Sequence, residues 1–462
     1  MKLRTTISLF LTVLLVSCTQ KDLNLLIIHT DQQSQWTVGA YGMDELRGPL
    51  TTPHLDALAE EGILFTNFFT NSAVCSPSRA LMMTGCYATR NGVYSNNMVM
   101  EHIPTLASQL AEAGYVTGYA GKWHLSGTAK PGWIPDSYGW EDNRFMFNRG
   151  HYKKITENDD GSLTAHPYKV IGDEKSYTTD WLTDKAIDFI DRNREVKFAF
   201  MVSYPDPHQP WEVREPFNSM YPEEEMSVPQ SFIQYDNPLV DWHDSILKKH
   251  YKNNYPKKVR RFKAMYSGSV HLIDHNVGRL IDFLKESDLY NNTIVLFTTD
   301  HGEYMGEHGM FYKNQLFEAA HRLPLIMHLP GSSSGQVINN VFSMVDFMPG
   351  LLNLMGIVPD EGVHGRDFSM FLDNVEGWED WAHVHHSGHM GAGLFTKEYY
   401  LILHRSGEHL LFDRINDPEE MSNLYYDDEY QDVVEEMQAK IFEHHKRYGT
   451  PEYKWISRLG DW

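Results

Sequence analysis

Three cysteines in 462 residues are too few for a disulfide-stapled scaffold, and a chain of this length can bury a core large enough to do without one. Basic residues are scarce beside acidic ones, 40 against 62, which leaves a net charge of −22 with histidine neutral. The net charge argues against a nucleic-acid partner, which would need a broad basic surface to displace counterions, and an anionic substrate must be drawn by a few focused cations. Beyond the amino terminus no stretch is long and apolar enough to span a bilayer. Internal repeats and low-complexity linkers are missing too, so one big domain and a smaller companion are expected to pack tightly.

The amino terminus differs in kind. Met1-Lys2-Leu3-Arg4 is basic, residues 7–16 are mostly apolar, and Leu15-Val16-Ser17-Cys18 resembles a bacterial lipoprotein signal cleaved before its cysteine. Residues 1–18 are therefore read as signal peptide and lipobox, with lipidation of Cys18 as the membrane contact. An ordinary secretory signal cut nearby exports the chain equally well. The expected location is exported, either periplasmic or lipid-anchored at the outer membrane. The remainder divides into a large domain at 22–375 and a small one at 376–462.

Short apolar runs alternate with helical patterns, and polar clusters follow the runs. Leu23 to Thr30 reads as a buried strand ending in Asp31-Gln32-Gln33. Leu55, Leu58 and Ala59 mark a helix stopped by Gly62, and Leu106 and Leu110 mark another between Pro104 and Gly114. A strand from Tyr115 to Tyr119 leads to Gly121-Lys122-Trp123-His124, and one from Phe198 to Ser203 leads to Asp206-Pro207-His208. The longest helical pattern, Val259 to Leu284, feeds a strand from Thr293 to Thr299 directly before Asp300-His301-Gly302-Glu303. This alternation predicts a layered α/β domain with a mostly parallel central sheet, which binds ligands at the carboxyl ends of its strands. Strand-like pieces from Tyr399 to Leu403 and His409 to Phe412, then a helix from Val433 to Lys446, predict a small C-terminal α+β subdomain.

The most telling segment is Cys75-Ser76-Pro77-Ser78-Arg79, which runs into the helical stretch Ala80-Leu81-Met82-Met83-Thr84-Gly85. Proline preorganises a first helical turn, a serine can bond the free amides, and Arg79 can return along the helix toward the cysteine. Cys75 is either a nucleophile at a helix start or half of a short disulfide with Cys86. The other motifs favour the first. Asp31-Gln32, Thr52-Pro53-His54-Leu55-Asp56, the cysteine motif, Gly121-Lys122-Trp123-His124, Asp206-Pro207-His208, and Thr299-Asp300-His301-Gly302 with Lys313 occur in this order. That order resembles the type I, formylglycine-dependent sulfatases. Leu411-Phe412-Asp413, Asn416-Asp417-Pro418-Glu419-Glu420 and Asn423-Leu424 are similar to the family's usual ending.

The resemblance covers nearly the whole mature chain. It implies an alkaline-phosphatase-like fold and a sulfuric ester hydrolase in which a formylglycine-generating maturation enzyme converts Cys75 to an aldehyde whose hydrate attacks the ester. A sulfate ester resists hydrolysis because its oxygens repel nucleophiles and an alkoxide leaves poorly. The site must neutralise charge, create a strong nucleophile and protonate the leaving oxygen. By the resemblance, Asp31, Gln32, Asp300 and His301, with Cys75 itself, hold a divalent metal, and the oxygen-rich set suits calcium first and magnesium second. Lys122 and Lys313 contact the sulfate, and Arg79 serves the modified cysteine. His124 bonds the hydrate and takes the proton that expels sulfate. His208, in a loop stiffened by prolines, is the acid for the leaving alcohol and touches substrate. Gln33 and Glu303 receive no role.

Two positions depart from the family pattern. Gln32 stands where aspartate is frequent, which keeps an oxygen but removes a charge, so an aspartate there is expected to tighten the metal. Cys86 stands where a basic residue is usual. His385, His386 and His389 suggest a metal by composition, or equally a rim that touches substrate. Export and family habit point to a sulfated polysaccharide such as a glycosaminoglycan, with specificity in residues 144–154 and the C-terminal part. Two rivals use the same residues: a phosphonate monoester or phosphodiester hydrolase of the same fold, and an inactive lipoprotein that binds sulfated glycan.

Overall fold

The computed structural model describes residues 23–128, 132–134, 136–369, 377–449 and 453–458, and the signal segment with Cys18 lies outside them. At the centre is an eight-stranded sheet in the order Gln336–Ser343, Ile63–Phe69, Arg322–His328, Thr293–Thr299, Asn24–Asp31, Phe198–Pro207, Val116–Lys122 and Asp142–Phe147. All neighbouring pairs are parallel except the two made by Arg322–His328. The α/β class expected from the alternation is the one that forms.

A parallel strand covered by helices on both faces has to be apolar on both, and Asn24–Asp31 is buried throughout. Leu25 and Ile27 point to one core, shared with residues of helices Cys75–Thr84, Leu106–Glu112 and Met344–Leu354. Leu26 and Ile28 point to the other, shared with residues of Pro53–Glu61, Thr178–Arg192 and Pro256–Glu286. The sheet is therefore held rigidly between two apolar layers, and only its ends are free to carry polar groups.

Four antiparallel strands, Ala382–His385, Gly391–Phe395, Tyr399–His404 and Leu410–Asp413, form a second sheet. Their period of two gives it two apolar faces. Tyr400, Ile402, Leu410 and Phe412 pack with Phe69, Trp242 and Phe317 of the large domain, whereas Leu401, Leu403 and Leu411 pack with Val434, Met437 and Ile441 of helix Gln431–Tyr448. Phe69 and Phe395 stack at 4.1 Å across the junction, and Arg414 reaches Glu318 at 2.7 Å. The second sheet shares an apolar core with the large one, and the expected division at 375/376 lies outside the described residues. Among the described residues no helix is long and apolar enough to cross a membrane.

Candidate active site

Four parallel strands in adjacent positions end on one edge of the sheet, and they deliver Asp31, Lys122, Asp206 and Asp300 there. Helix Cys75–Thr84 starts at the same edge with Cys75 as its first residue. Cys75 Sγ lies 3.1 Å from Lys313 Nζ, 3.3 Å from His301 Nε2, 3.6 Å from Lys122 Nζ and 3.8 Å from Asp31 Oδ1. His124 and His208 lie close enough to feel the same thiol. All ten site residues expected from the sequence thus come together, drawn from segments up to 282 positions apart.

The serines of the cysteine motif do not cap its helix. Ser76 Oγ donates to the His124 carbonyl at 2.6 Å, Ser78 Oγ donates to the Asp300 carbonyl, and Val74 at the cap position makes no side-chain bond. Instead of satisfying amides they tie the helix to the loops carrying two other site residues, and the Ser76 N–H goes to Asn96 Oδ1 at 3.0 Å. Arg79 returns along the helix but braces carboxylates. Its Nε donates to Asp300 Oδ2 at 2.9 Å, its Nη1 to the Lys122 carbonyl and to Ser203 Oγ, and its Nη2 is 3.8 Å from Asp31. Gly121 permits this closeness, since a Cβ there would sit 1.9 Å from the Ser203 carbonyl oxygen.

Asp31, Cys75, Asp300 and His301 each offer one ligand atom, all within 4.8 Å of one another and all buried. Two buried carboxylates and an imidazole fit an oxygen-preferring divalent ion, whose charge would offset the cost of desolvating them. Gln32, in the left-handed region at φ 67°, adds an amide oxygen. Its Oε1 accepts from Lys313 Nζ at 2.6 Å, while its nitrogen donates to Gln209 Oε1 at 2.9 Å and to the Glu303 carboxylate. Glu303 therefore decides which end of Gln32 faces the cluster. This contact spans 271 positions and has no signature in the chain's local pattern. An aspartate at 32 would set one buried carboxylate against another, so the tighter metal binding expected from added charge does not follow.

Burial alone would push the Cys75 thiol up, but the Lys122 and Lys313 ammonium groups and His301 hold it well below the ordinary thiol value. Burial and Cys75 likewise oppose ionisation of Asp31, yet Lys122, paired directly with it, keeps the carboxyl well below its usual range. His124 is left-handed at φ 64°, and neither of its ring nitrogens makes a well-formed hydrogen bond. His208 bonds the Gln209 carbonyl through Nδ1 at 2.7 Å, and burial with Lys313 lowers its pKa to about 4. An anionic group entering between Lys122 and Lys313 would find positive charge on two sides and an open imidazole on each of two others.

The disulfide alternative is overturned. Cys75 and Cys86 are both free and buried, and they flank a helix that separates them by roughly 15 Å, about twice the Cα separation a disulfide tolerates. Cys86 Sγ donates to the Thr84 carbonyl at 3.3 Å. The segment carrying the histidine cluster touches neighbours of the site through other groups. The His385 N–H bonds the Asn71 carbonyl at 2.8 Å, and Ser387 Oγ donates at 2.7 Å to Asn314, next to Lys313. Among the described residues, the group around Cys75 is the one with metal-like spacing, and these histidines are not part of it.

A mostly parallel α/β sheet that gathers carboxylates, lysines and histidines around a helix-initial cysteine at its carboxyl edge defines an alkaline-phosphatase-like hydrolase. The sulfatase family profile matches residues 23–357, and the profile described as N-sulphoglucosamine sulphohydrolase, C-terminal, matches 306–447. The chain belongs to the sulfatase family and is a sulfuric ester hydrolase. It is similar to the N-acetylglucosamine-6-O-sulfatase of Bacteroides thetaiotaomicron, 26% identical over 92% of this chain and 86% of the relative. A solved structure in complex with its substrate D-glucosamine-2-N,6-O-disulfate aligns with a TM-score of 0.76 at 24% identity, covering 94% of this chain and 100% of that one. The phosphonate monoester hydrolase of Agrobacterium radiobacter shares the fold, with a TM-score of 0.77 at 22% identity over 92% of this chain and 96% of that one.

Proposed function

We propose that the protein hydrolyses sulfate monoesters on a carbohydrate, through a formylglycine at position 75 and a divalent metal, calcium before magnesium, held by Asp31, Gln32, Asp300 and His301. The observation that carries this reading is the setting of Cys75: a helix-initial thiol within 3.8 Å of two ammonium groups, a carboxylate and an imidazole, in a site that is almost wholly buried. When bound, the metal supplies positive charge to a sulfate oxygen and acidifies the nucleophile. A formylglycine hydrate at position 75 would supply one hydroxyl as the nucleophile and a second whose deprotonation would release sulfate and restore the aldehyde.

The chain's own residues do the rest. Lys122 and Lys313 neutralise the sulfate oxygens, and Arg79 keeps Asp31 and Asp300 in place while they face so much charge. His124, buried with free nitrogens, receives a proton at the hydrate. His208 donates its Nδ1–H to the Gln209 carbonyl and turns Nε2 toward the leaving alcohol; bound sulfate, offsetting the Lys313 charge that lowers its pKa, favours the imidazolium, which delivers the Nε2 proton to the leaving oxygen.

A sugar as the alcohol is supported by the names of the relatives, one acting on N-acetylglucosamine 6-sulfate and one holding a sulfated glucosamine. The reading includes export on a signal at 1–18, a lipid on Cys18 and a catalytic unit at 22–375 joined to a substrate-facing subdomain at 376–462. The test is inorganic sulfate release from a panel of sulfated mono- and disaccharides, run beside a phosphonate monoester and a phosphodiester. Release from at least one saccharide, with kcat/KM above both phosphorus esters, is expected. Faster turnover of a phosphorus ester, or saccharide binding without release, would replace the proposal with one of its rivals.

A further inference from the structure

We infer that His151 is a positioning residue for His208, holding the plane of its ring by face-to-face stacking so that Nε2 stays aimed at the leaving oxygen. The inference rests on the reading of His208 as the acid for the departing alcohol.

His208 lies just past the end of strand Phe198–Pro207, in a loop, and its ring makes one well-formed hydrogen bond, to the carbonyl of the very next residue, with the Cys75 thiol as a looser neighbour. A bond so local, with only the Cys75 thiol beside it, does not set the plane of the ring. What fixes the plane is the imidazole of His151, whose centroid is 3.7 Å away with only 6° between the two rings. His151 brings no hydrogen bond of its own to this arrangement. The ring is buried, and its Nδ1 has no partner. A buried imidazole whose Nδ1 satisfies nothing contributes its face.

The two segments are bolted together close to both rings. Lys153, two residues after His151, forms a fully buried ion pair with Asp206, two residues before His208. Asp206 is fixed in turn by the Tyr177 hydroxyl at 2.9 Å and Thr179 Oγ1 at 2.7 Å, and the Lys153 carbonyl accepts the Gly172 N–H at 2.9 Å. The stack is thus set by one clamp that lies two residues from each ring. Burial, and then His208 itself, keep the His151 pKa well below the ordinary value, so the supporting ring is neutral. A proton donor works only when held in line with its acceptor, and a small misplacement is costly.

The test uses a series of aryl sulfates of graded leaving-group basicity, from 4-nitrophenyl to 4-methoxyphenyl sulfate, with the full-length enzyme and four variants. Loss of the acid steepens the dependence of kcat on leaving-group basicity, and His208→Ala calibrates that slope. His151→Ala is expected to steepen it in the same sense, with roughly 10-fold loss in kcat for the poorest leaving group, under about twofold for the best, and little change in KM. His151→Phe, which keeps a flat ring and discards both nitrogens, is expected to restore most of the wild-type slope. His151→Leu fills the space without a ring and serves in place of the alanine variant if that one fails to fold. Equal losses along the whole series would make His151 structural. A phenylalanine variant as defective as alanine would show that the nitrogens matter and the stack does not. Either result overturns the inference while leaving His208 as the acid. A slope in His208→Ala no steeper than that of the wild type would remove the acid assignment itself, and the inference with it.

Discussion

The two sides of the site, the one proposed to hold sulfate and the one proposed to face the alcohol, are built by different means. On the sulfate side, Asp31, Lys122, Asp300 and His301 stand at or beside strand ends, are fully buried, and are tied to one another and to Arg79 by several contacts each. On the side facing the alcohol, His208 and His151 belong to loops, and a single clamp, Lys153 with Asp206, sets their relation. The difference follows from what each side must recognise. A sulfate group is the same in every substrate, so its cradle can be part of the rigid sheet. The alcohol varies, and variation is tolerated in loops that a sheet merely supports.

Breaking the sulfate side should have the largest effect. Cys75→Ala removes the nucleophile and is expected to lower sulfate release by roughly 10⁴-fold or more on every substrate, with an unchanged melting temperature. Breaking the alcohol side should discriminate. An aryl sulfate expels a stabilised phenolate, whereas a sugar sulfate expels a basic alkoxide. His208→Ala should therefore cost about 10²–10⁴-fold in kcat/KM on a saccharide and much less on 4-nitrophenyl sulfate. Equal losses on both would place His208 on the sulfate side of the comparison.

A smaller effect sharpens the account of the rigid side. Gln32→Asp should weaken calcium binding, read by titration calorimetry, by about 10-fold, because the new carboxylate meets Glu303. Combining it with Glu303→Gln should recover the loss, since the hydrogen bond between the two positions is then restored with its ends exchanged. Tighter binding in the single variant would show that net charge at the cluster outweighs the local contact. Smallest is a pH effect on the frame behind the site. His243 and His321 are buried, and burial lowers each to about 4 in the folded protein, against an ordinary value of 6.5 in the unfolded chain. Between those values the unfolded state binds more protons, so their contribution is complete above about pH 6.5 and is lost as pH falls toward 4. The melting temperature is expected to drop by several degrees from pH 7 to pH 4.5, and replacing His321 by a neutral isostere such as Gln should flatten that slope.

The same contrast governs what could be read from the chain. The strands of the rigid side were legible because each is an apolar run closed by a motif, and Thr293–Thr299 forms with the predicted bounds. The long helix Pro256–Glu286 was legible from its period. The flanking strands were not. Arg322–His328 contains Pro324, which argues against a strand on local grounds, and Gln336–Ser343 is half polar because it lies at the sheet edge. The contacts of His151 and Glu303 had no local signature, since the clamp joins residues 53 positions apart and the Gln32–Glu303 bond joins the first central strand to a loop late in the chain. Motifs name the residues that do chemistry, whereas the residues that aim them are visible only once the chain is folded.

The central claim is that position 75 acts as an aldehyde. Mass spectrometry of the peptide containing residue 75, from catalytically active protein matured in a host that has the modifying enzyme, tests it most directly. Formylglycine at position 75, in a fraction that tracks specific activity across preparations, is the predicted result; fully active protein with an intact Cys75 thiol would contradict it.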